Sequence, residues 1–525
     1  MAKEQVRHIR SVADSLYRMV DTDPTEAVGR ARSLEANEYL PQSEVDAIKG
    51  VIFIDAGNVL QDAKIVSEGV DLIRPLLKVQ PDRMDIIYNL ANGLSTLAQI
   101  TKLPIGQWYL KTSDYRREAR LHFESVGQSK AAEFGIMARA KTNQANLLNQ
   151  SFRWLEAYEL YREAIRLDPK NVIAASGAVK LLLRAADRRL GHSKLLKALA
   201  ARYLRLFREH QGQLVEYGGS RAEKILGELP SDLDEDVDIH WPPDLSNADN
   251  FTRFVADNNL SLSLTIEGLD PDLRYWDSLS IHSIHEDLGT PYGVPPIFAM
   301  FNVLKADYLA ARWLAYQAIH NLARESGSYA DTLDYAMYGI RESLFTLAQR
   351  SAIDILDRIA VAASEYLGLK DSPSSTYFWK RWHVTEGRSL KRPLEWQPAI
   401  TNEIDKGNTA LIALAELAED IAVGGYLQPK RTLRNESTHR FVILHDMGSS
   451  GSRESRYVKH FNVEDFKKQT ISALKLVRSA LFYFVEMITI HESQLEREEG
   501  LSVPLEVPPH HWIRGDDYTS VKGPS

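Results

Sequence analysis

The sequence predicts an all-α protein, on three observations. Apolar residues recur at helical spacing through nearly the whole length. In the first 225 positions small residues share that spacing, and prolines fall between the periodic segments. Strand-like alternation of Leu with Ser or Thr is confined to one short stretch, Asn259 to Ile266. The 525 residues are enough for two to four domains with sizeable cores. With 44% apolar and 26% charged residues the composition is that of an ordinary globular protein. The absence of cysteine excludes disulfides, thiolate metal sites and a cysteine nucleophile. The start, Met1 to Gln5, lacks a signal-peptide core, and no run reaches the ~18 apolar residues of a membrane span, so a cytoplasmic location is expected. The net charge of −8 argues against a surface coated in nucleic acid, though not against a local basic cleft.

The first region, 1–228, reads as helix after helix. Its clearest unit runs from Ala138 to Asp168 and closes at Pro169, with Ala145 at a close crossing and Ala157, Tyr161 and Ala164 as the inner stripe of its second helix. Gly50 to Pro81 repeats the skeleton with Gly57, Leu60 and Gly69. A third unit starts near Met84 with Leu90, Ala91 and Leu94; its second helix is expected only after an insertion around Pro104 to Asp114. These units resemble the tetratricopeptide repeat, with its period of about 34 residues and closing proline. Lys141 and Gln144 depart from it, standing where the pattern favours large apolar residues. Stacked helix pairs of this kind make a concave binding surface. Helical pattern continues to about Leu226, with Leu195 to Phe207 strongly amphipathic.

Residues 229–295 form an acidic, proline-rich connecting segment. Residues 296–498 read as a bundle of long helices: Ile297 to Glu325, Ala330 to Leu369, Thr409 to Val423 ended by Gly424-Gly425, and Val463 to Glu496. Lys370 to Lys406 interrupts it with aromatic and basic residues; Tyr377 to Trp382 either stacks bases or caps the bundle. Pro429 suits the first turn of another helix, which carries Arg434-Asn435-Glu436-Ser437-Thr438-His439. Gly448 to Ser452 breaks that helix and lacks the Lys-Ser/Thr of a phosphate loop. The tail, 499–525, has several prolines and is expected to be extended.

The Arg434 to His439 stretch combines a permanent cation, a carboxamide and an imidazole. Arginine fixes phosphate geometry and histidine moves protons near neutral pH, a pairing that suits phosphodiester chemistry without a metal. Asn435 and His439, four apart, share a helix face. Arg434 and His439, five apart, lie about 140° apart at about 100° per residue. Either the arginine reaches round or a second copy completes the site. Between Pro429 and His460 seven Lys or Arg residues face three acids, so local and global charge have opposite signs. The structural alternative is that Arg434 pairs with Glu436 or a neighbouring carboxylate and His439 is a satisfied core histidine. Asp354, Asp357 and Asp420 are possible polar partners. His282 and His285, and His510-His511 with Asp516-Asp517, are weaker candidates for a metal; none is assigned as a ligand, and no cofactor is expected.

A late helix bearing Arg-Asn-x-x-x-His inside an α-bundle resembles the HEPN superfamily of prokaryotic ribonucleases. The segments Ala306–Arg312, Tyr338–Glu342, Leu356–Ala360, Ala415–Asp420 and Val477–Tyr483 resemble those of one HEPN subfamily found behind helical repeats, over roughly residues 250 to 495. Glu436, inside the motif, departs from the expected positive character. The resemblance implies an N-terminal tetratricopeptide-like array followed by a HEPN-type antiparallel bundle. It also implies a dimeric, metal-independent endoribonuclease in which the RNA 2′-hydroxyl attacks the adjacent phosphate. His439 would be general base or acid, Arg434 the phosphate clamp and Asn435 an orienting group; Lys430, Arg431, Arg440, Arg453 and Arg456 would bind RNA. A protein or phage-derived trigger on the repeat surface, in toxin or anti-phage defence, belongs to the same implication. Two other readings stand beside it: a non-catalytic scaffold, and an RNA-binding protein that does not cut.

Overall fold

The computed structural model describes residues 2–188, 193–215, 219, 222–231, 233, 245–262, 277–287, 293–369, 372–387, 389–447, 455–495 and 502–506. Helices dominate, as predicted, and by contact the chain divides into two units: 1–238 with 378–433, and 239–377 with 434–525. The division passes through the 296–498 segment expected to form one bundle, and falls within a single helix, Gln428–His439.

In the first unit, helices pair in sequence: Gln42–Leu60 with Ala63–Val79, Met84–Ile100 with Ile105–Gln128, Phe134–Gln150 with Trp154–Leu167, and Val172–Asp187 with Ser193–Glu209. The pairing is consistent with the repeat reading. The small residues are where two backbones meet: a Cβ added to Gly69 would lie 2.5 Å from the Gly50 carbonyl oxygen, and one on Gly177 2.5 Å from the Tyr161 ring. Polar side chains at apolar positions find polar partners instead. Lys141 reaches Glu163 at 2.7 Å, and the buried Gln144 donates to Glu124 at 3.0 Å. Pro75 is an exception to prolines lying between helices, sitting near the end of Ala63–Val79.

The expected insertion at Pro104 to Asp114 is itself helical. Ile105–Gln128 is continuous, starting just after Pro104, whose extended ψ of 145° sets the entry to the helix. Its added turns receive the 378–433 segment: Trp396 donates to the Gly106 carbonyl at 3.3 Å, and Arg116 and Arg120 face helix Thr409–Ile421. That helix is buried from Ala410 to Ile421, acids included.

The second unit is built on helices Pro296–Ile319, Ile340–Tyr366 and Val463–Gln494, packed through Phe301, Ala311, Phe345, Ala352, Ala473, Val477 and Phe484. Arg312, buried here, is held by Asp277 at 2.9 and 2.7 Å and by the Leu260 carbonyl at 3.0 Å. The predicted helix from Ala330 starts ten residues later. Leu333 and Tyr335 take φ of 57° and 59°, which an α-helix does not accept, and Ala336–Met337 is a strand. That strand pairs antiparallel with Phe441–His445, which pairs in parallel with Val458–Asn462. This small sheet was not predicted; its strands are too short to show periodicity. A second strand pair joins Ser283–Asp287 to Ser502–Glu506 in the expected extended tail. Of the Asn259 to Ile266 stretch, only 259–262 is described, without strand. Within the connector the described residues include helix Asn250–Asp257 as well as strand Ser283–Asp287, while 232, 234–244, 263–276 and 288–292, and the remainder of the tail, lie outside the described residues. Among the described residues, no helix is long and apolar enough to cross a membrane.

Candidate functional site

Helix Gln428–His439 carries the Arg-Asn-x-x-x-His stretch, as predicted. Pro429 sits in its first turn, the buried Leu433 anchors it, and it ends at His439, one residue before strand Phe441–His445. Cationic groups at that end face the negative pole of the helix dipole. His439 is exposed and Asn435 half-buried, which removes the alternative of His439 as a core histidine. The backbone at Arg434 is helical; its side chain, and those of Glu436, Ser437 and Thr438, lie outside the described residues. The helical span from 434 to 439 preserves the angular premise that Arg434 and His439 positions do not form one stripe.

The flanking cations take different surroundings. Arg440 and Arg456 are exposed, with the Arg456 guanidinium 4.7 Å above the Tyr457 ring. Arg453 lies outside the described residues, as do residues 448–452 of the Gly-Ser stretch. Arg431 stacks 4.5 Å above Trp379, and Lys430 is half-buried. Burial pushes the Lys430 amine down to about 8, against the pull of Glu124. The aromatic segment around it packs inward. Phe378 and Trp382 are buried and meet edge to face at 5.7 Å, and Tyr377 is exposed.

Asp420, a possible partner of the motif, belongs to another network. Arg120 donates to it at 3.0 and 2.7 Å, and Arg153 also binds it. Glu416 accepts from Arg116 at 2.5 Å, Arg120 at 2.6 Å and Ser151 at 2.5 Å; Glu419 accepts from Arg392 at 2.8 Å. Arg116, Arg120, Arg153 and their three acids are all buried. Burial raises the Glu416 carboxyl, but Arg120, Arg116 and Arg153 outweigh it and hold it below the ordinary range. These are structural ion pairs: a desolvated charge is tolerated only with its partner in place. Asp354 and Asp357 lie on helix Ile340–Tyr366.

His282 and His285 are not gathered into a group of possible metal ligands among the described residues. His282 lies just before strand Ser283–Asp287, while His285, within it, pairs with Glu492 at 3.0 Å. His510 and His511 lie outside the described residues. The structure instead gathers Asp334, His445 and His460, one ligand atom of each within 4.8 Å of the others. His445 and His460 belong to strands too short to announce themselves and Asp334 to a bend more than a hundred residues earlier; only the folded chain brings them together.

Residues 289–491 match the family model described as LA2681-like HEPN, so an LA2681-like HEPN domain at the C-terminal end follows an N-terminal helical region. No curated protein and no solved structure matches the chain.

Proposed function

We propose that this chain is a metal-independent endoribonuclease, its LA2681-like HEPN segment cutting RNA under control of the N-terminal helical region. One observation carries the reading: the matched segment contains Arg434-Asn435-x-x-x-His439 on a helix that ends at an exposed His439. His439 would take the proton of the ribose 2′-hydroxyl or give one to the departing 5′-oxygen, a contribution of about 10²–10⁴. Arg434 would hold the non-bridging oxygens as charge develops on them, and Asn435 would orient the imidazole. The 2′-oxygen forms a bond to phosphorus and the 5′-oxygen leaves with a proton, giving a 2′,3′-cyclic phosphate and a 5′-hydroxyl. DNA, lacking the 2′-hydroxyl, is not cut.

The angular separation of positions 434 and 439 favours a homodimer in which two motif helices pool their arginines and histidines. Arg440, Arg453 and Arg456 would bind the RNA backbone, with Arg431 and Lys430 beyond them; an amine at about 8 is still mostly cationic at neutral pH. The helix pairs of 1–228 would receive a protein or phage-derived trigger in cytoplasmic toxin or anti-phage defence.

The test incubates purified full-length chain with total RNA in EDTA. Cleavage that persists there, leaves cyclic-phosphate ends and disappears in both Arg434→Ala and His439→Ala is the expected result. Intact RNA retained with steep salt dependence would replace the reading with RNA binding alone. Since a missing trigger also silences a nuclease, growth arrest on expression is compared between wild type and His439→Ala; equal growth, together with intact RNA, leaves a scaffold.

A further inference from the structure

We infer that Asp334, His445 and His460 form a binding site for one borderline divalent transition-metal ion such as Zn²⁺. The inference is independent of whether the chain cuts RNA.

Strand register places His445 and His460 on one side of the small sheet, and the bend before strand Ala336–Met337 brings Asp334 to them. Ala336 pairs with His445, and Asp334 lies two residues before Ala336. Ile443 pairs with His460, and His445 lies two residues after Ile443. Side chains two apart on a strand share a face, so His445 and His460 point the same way; Asp334, in the bend before the third strand, is placed beside them by its contact with the His445 ring, and one carboxylate oxygen lies within 4.8 Å of the histidine ligand nitrogens. The outcome is visible in the distances: His445 Nε2 faces His460 Nδ1 at 2.8 Å, with ring centroids 5.0 Å apart.

A second feature orients the group. The other ring nitrogen of His445, Nδ1, lies 3.0 Å from the Asp334 backbone carbonyl. A carbonyl only accepts, so Nδ1 carries the proton and Nε2 presents its lone pair toward His460. Metal-ligating histidines are held in this way, their second nitrogen donating to a carbonyl or carboxylate that fixes tautomer and ring plane. His445 is buried and His460 half-buried, so one ligand is rigid and the other has access to solvent. The Asp334 carboxylate is itself held by Thr332 Oγ1 at 2.6 Å.

The metal-free reading is a simple imidazole–imidazole hydrogen bond, His460 donating to His445. With Zn–N bonds of about 2.0–2.1 Å in tetrahedral geometry, two ligand nitrogens stand about 3.3 Å apart. Opening the pair by about half an ångström and swinging in the carboxylate is a side-chain adjustment on this spacing. Two imidazoles and one carboxylate suit zinc or iron(II) and leave positions for water; hard Mg²⁺ and Ca²⁺ prefer all-oxygen sets. The bound ion would clamp strand Phe441–His445, which directly follows the motif helix, to its two neighbours.

The experiment titrates chelator-stripped full-length chain with Co²⁺, reading its d–d absorption, and then displaces it with Zn²⁺ or Fe²⁺, with Mg²⁺ as the hard-ion control. One equivalent is expected, displaced by Zn²⁺ but not by excess Mg²⁺. His460→Ala should lose more than the ~10–100-fold in affinity that an outer-shell change costs, with Asp334→Asn also weakened. The His510→Ala/His511→Ala variant should bind as wild type. Equal binding by His460→Ala, loss in the tail variant instead, or no binding in wild type overturns the site. Should His460→Ala fail to fold by circular dichroism, X-ray absorption of the zinc-loaded tail variant decides: two imidazoles in an all N/O shell support the site, and none overturns it.

Discussion

Helix Thr409–Ile421 and helix Gln428–His439 are neighbours in sequence, and both carry residues of the kind that catalysis uses. The first buries Glu416, Glu419 and Asp420 against arginines, and each of the three accepts at least one hydrogen bond from a guanidinium. The second presents His439 to solvent at its last position. Charged side chains therefore mean different things in the two helices. Where charges are desolvated and mutually satisfied, they set packing; where an imidazole stays accessible at a helix end, it is available to a substrate. The largest effect that tests the contrast is on chemistry. His439→Ala is expected to reduce RNA cleavage by about 10²–10⁴ while shifting the urea unfolding free energy by no more than about 0.5 kcal/mol. A comparable loss of stability would mean that His439 is structural after all, and the contrast would fail.

The reverse outcome is expected at Asp420. Asp420→Ala takes from Arg120 and Arg153 one of the two buried carboxylates that both contact, leaving them Glu416 to share. Removing one partner of a buried ion network costs about 3–5 kcal/mol. Urea denaturation of the full chain measures it, as an early transition of the first unit. A variant as stable as wild type would show that water reaches these arginines.

Much of the helical architecture was legible in the sequence because amphipathic periodicity and small-residue spacing are local signals. Pro429 marks the start of the motif helix to within a residue, but the helix ends at His439 rather than at Gly448, and strand Phe441–His445 occupies the stretch expected to continue it. What was not legible depends on contacts between distant segments. Asp420 and Arg120 lie three hundred residues apart, so nothing local distinguishes that acid from a motif partner. The Asp334, His445 and His460 group needs two short strands in register and a distant bend laid beside them. The loop at 330–339 read as helix because its apolar residues keep rough helical spacing, while the positive φ values at Leu333 and Tyr335 leave no mark in composition. Exposure of His439, the feature on which the functional reading leans, is likewise a property of the folded chain.

Glycines in the first unit extend the contrast to side chains that are absent. In Gly69→Ala the new methyl would meet the Gly50 carbonyl at 2.5 Å and the Ile54 side chain at 2.9 Å. A helix crossing that close has no flexible group to yield, so a loss of about 1–3 kcal/mol is expected. Gly29, inside helix Pro24–Arg32, has nothing within 4 Å of a built Cβ. Gly29→Ala should therefore stabilise by about 0.5–1 kcal/mol through helix propensity. Thermal unfolding of both variants gives the signs. Two shifts of the same sign would remove the close crossing as the reason for glycine at 69.

At pH 8 the smallest expected effect concerns His383, a histidine as enclosed as His439 is open. It is fully buried, packed against Tyr109 at 5.7 Å and Trp396 at 4.9 Å, which themselves stack at 4.8 Å, and neither ring nitrogen has a hydrogen-bond partner among the described residues. Burial, with Arg392 and Arg116 adding repulsion, pushes its pKa down to about 3. The unfolded chain binds a proton at this position below about 6.5, whereas the folded chain refuses it until about 3. Stability therefore falls as pH drops through 6.5, and this one group accounts for about 1.4 kcal/mol by pH 5.5 and about 2 kcal/mol by pH 5. His383→Phe keeps the stack, removes two desolvated nitrogens and has nothing to protonate. At pH 8 it should be as stable as wild type or about 1 kcal/mol more so, and the gap should widen on acidification. Urea midpoints of the two proteins between pH 8 and pH 5 measure the difference, in which the carboxylates common to both cancel. Parallel curves would show that His383 is protonated in the folded protein, and that the aromatic stack admits a charge that its burial argues it must exclude.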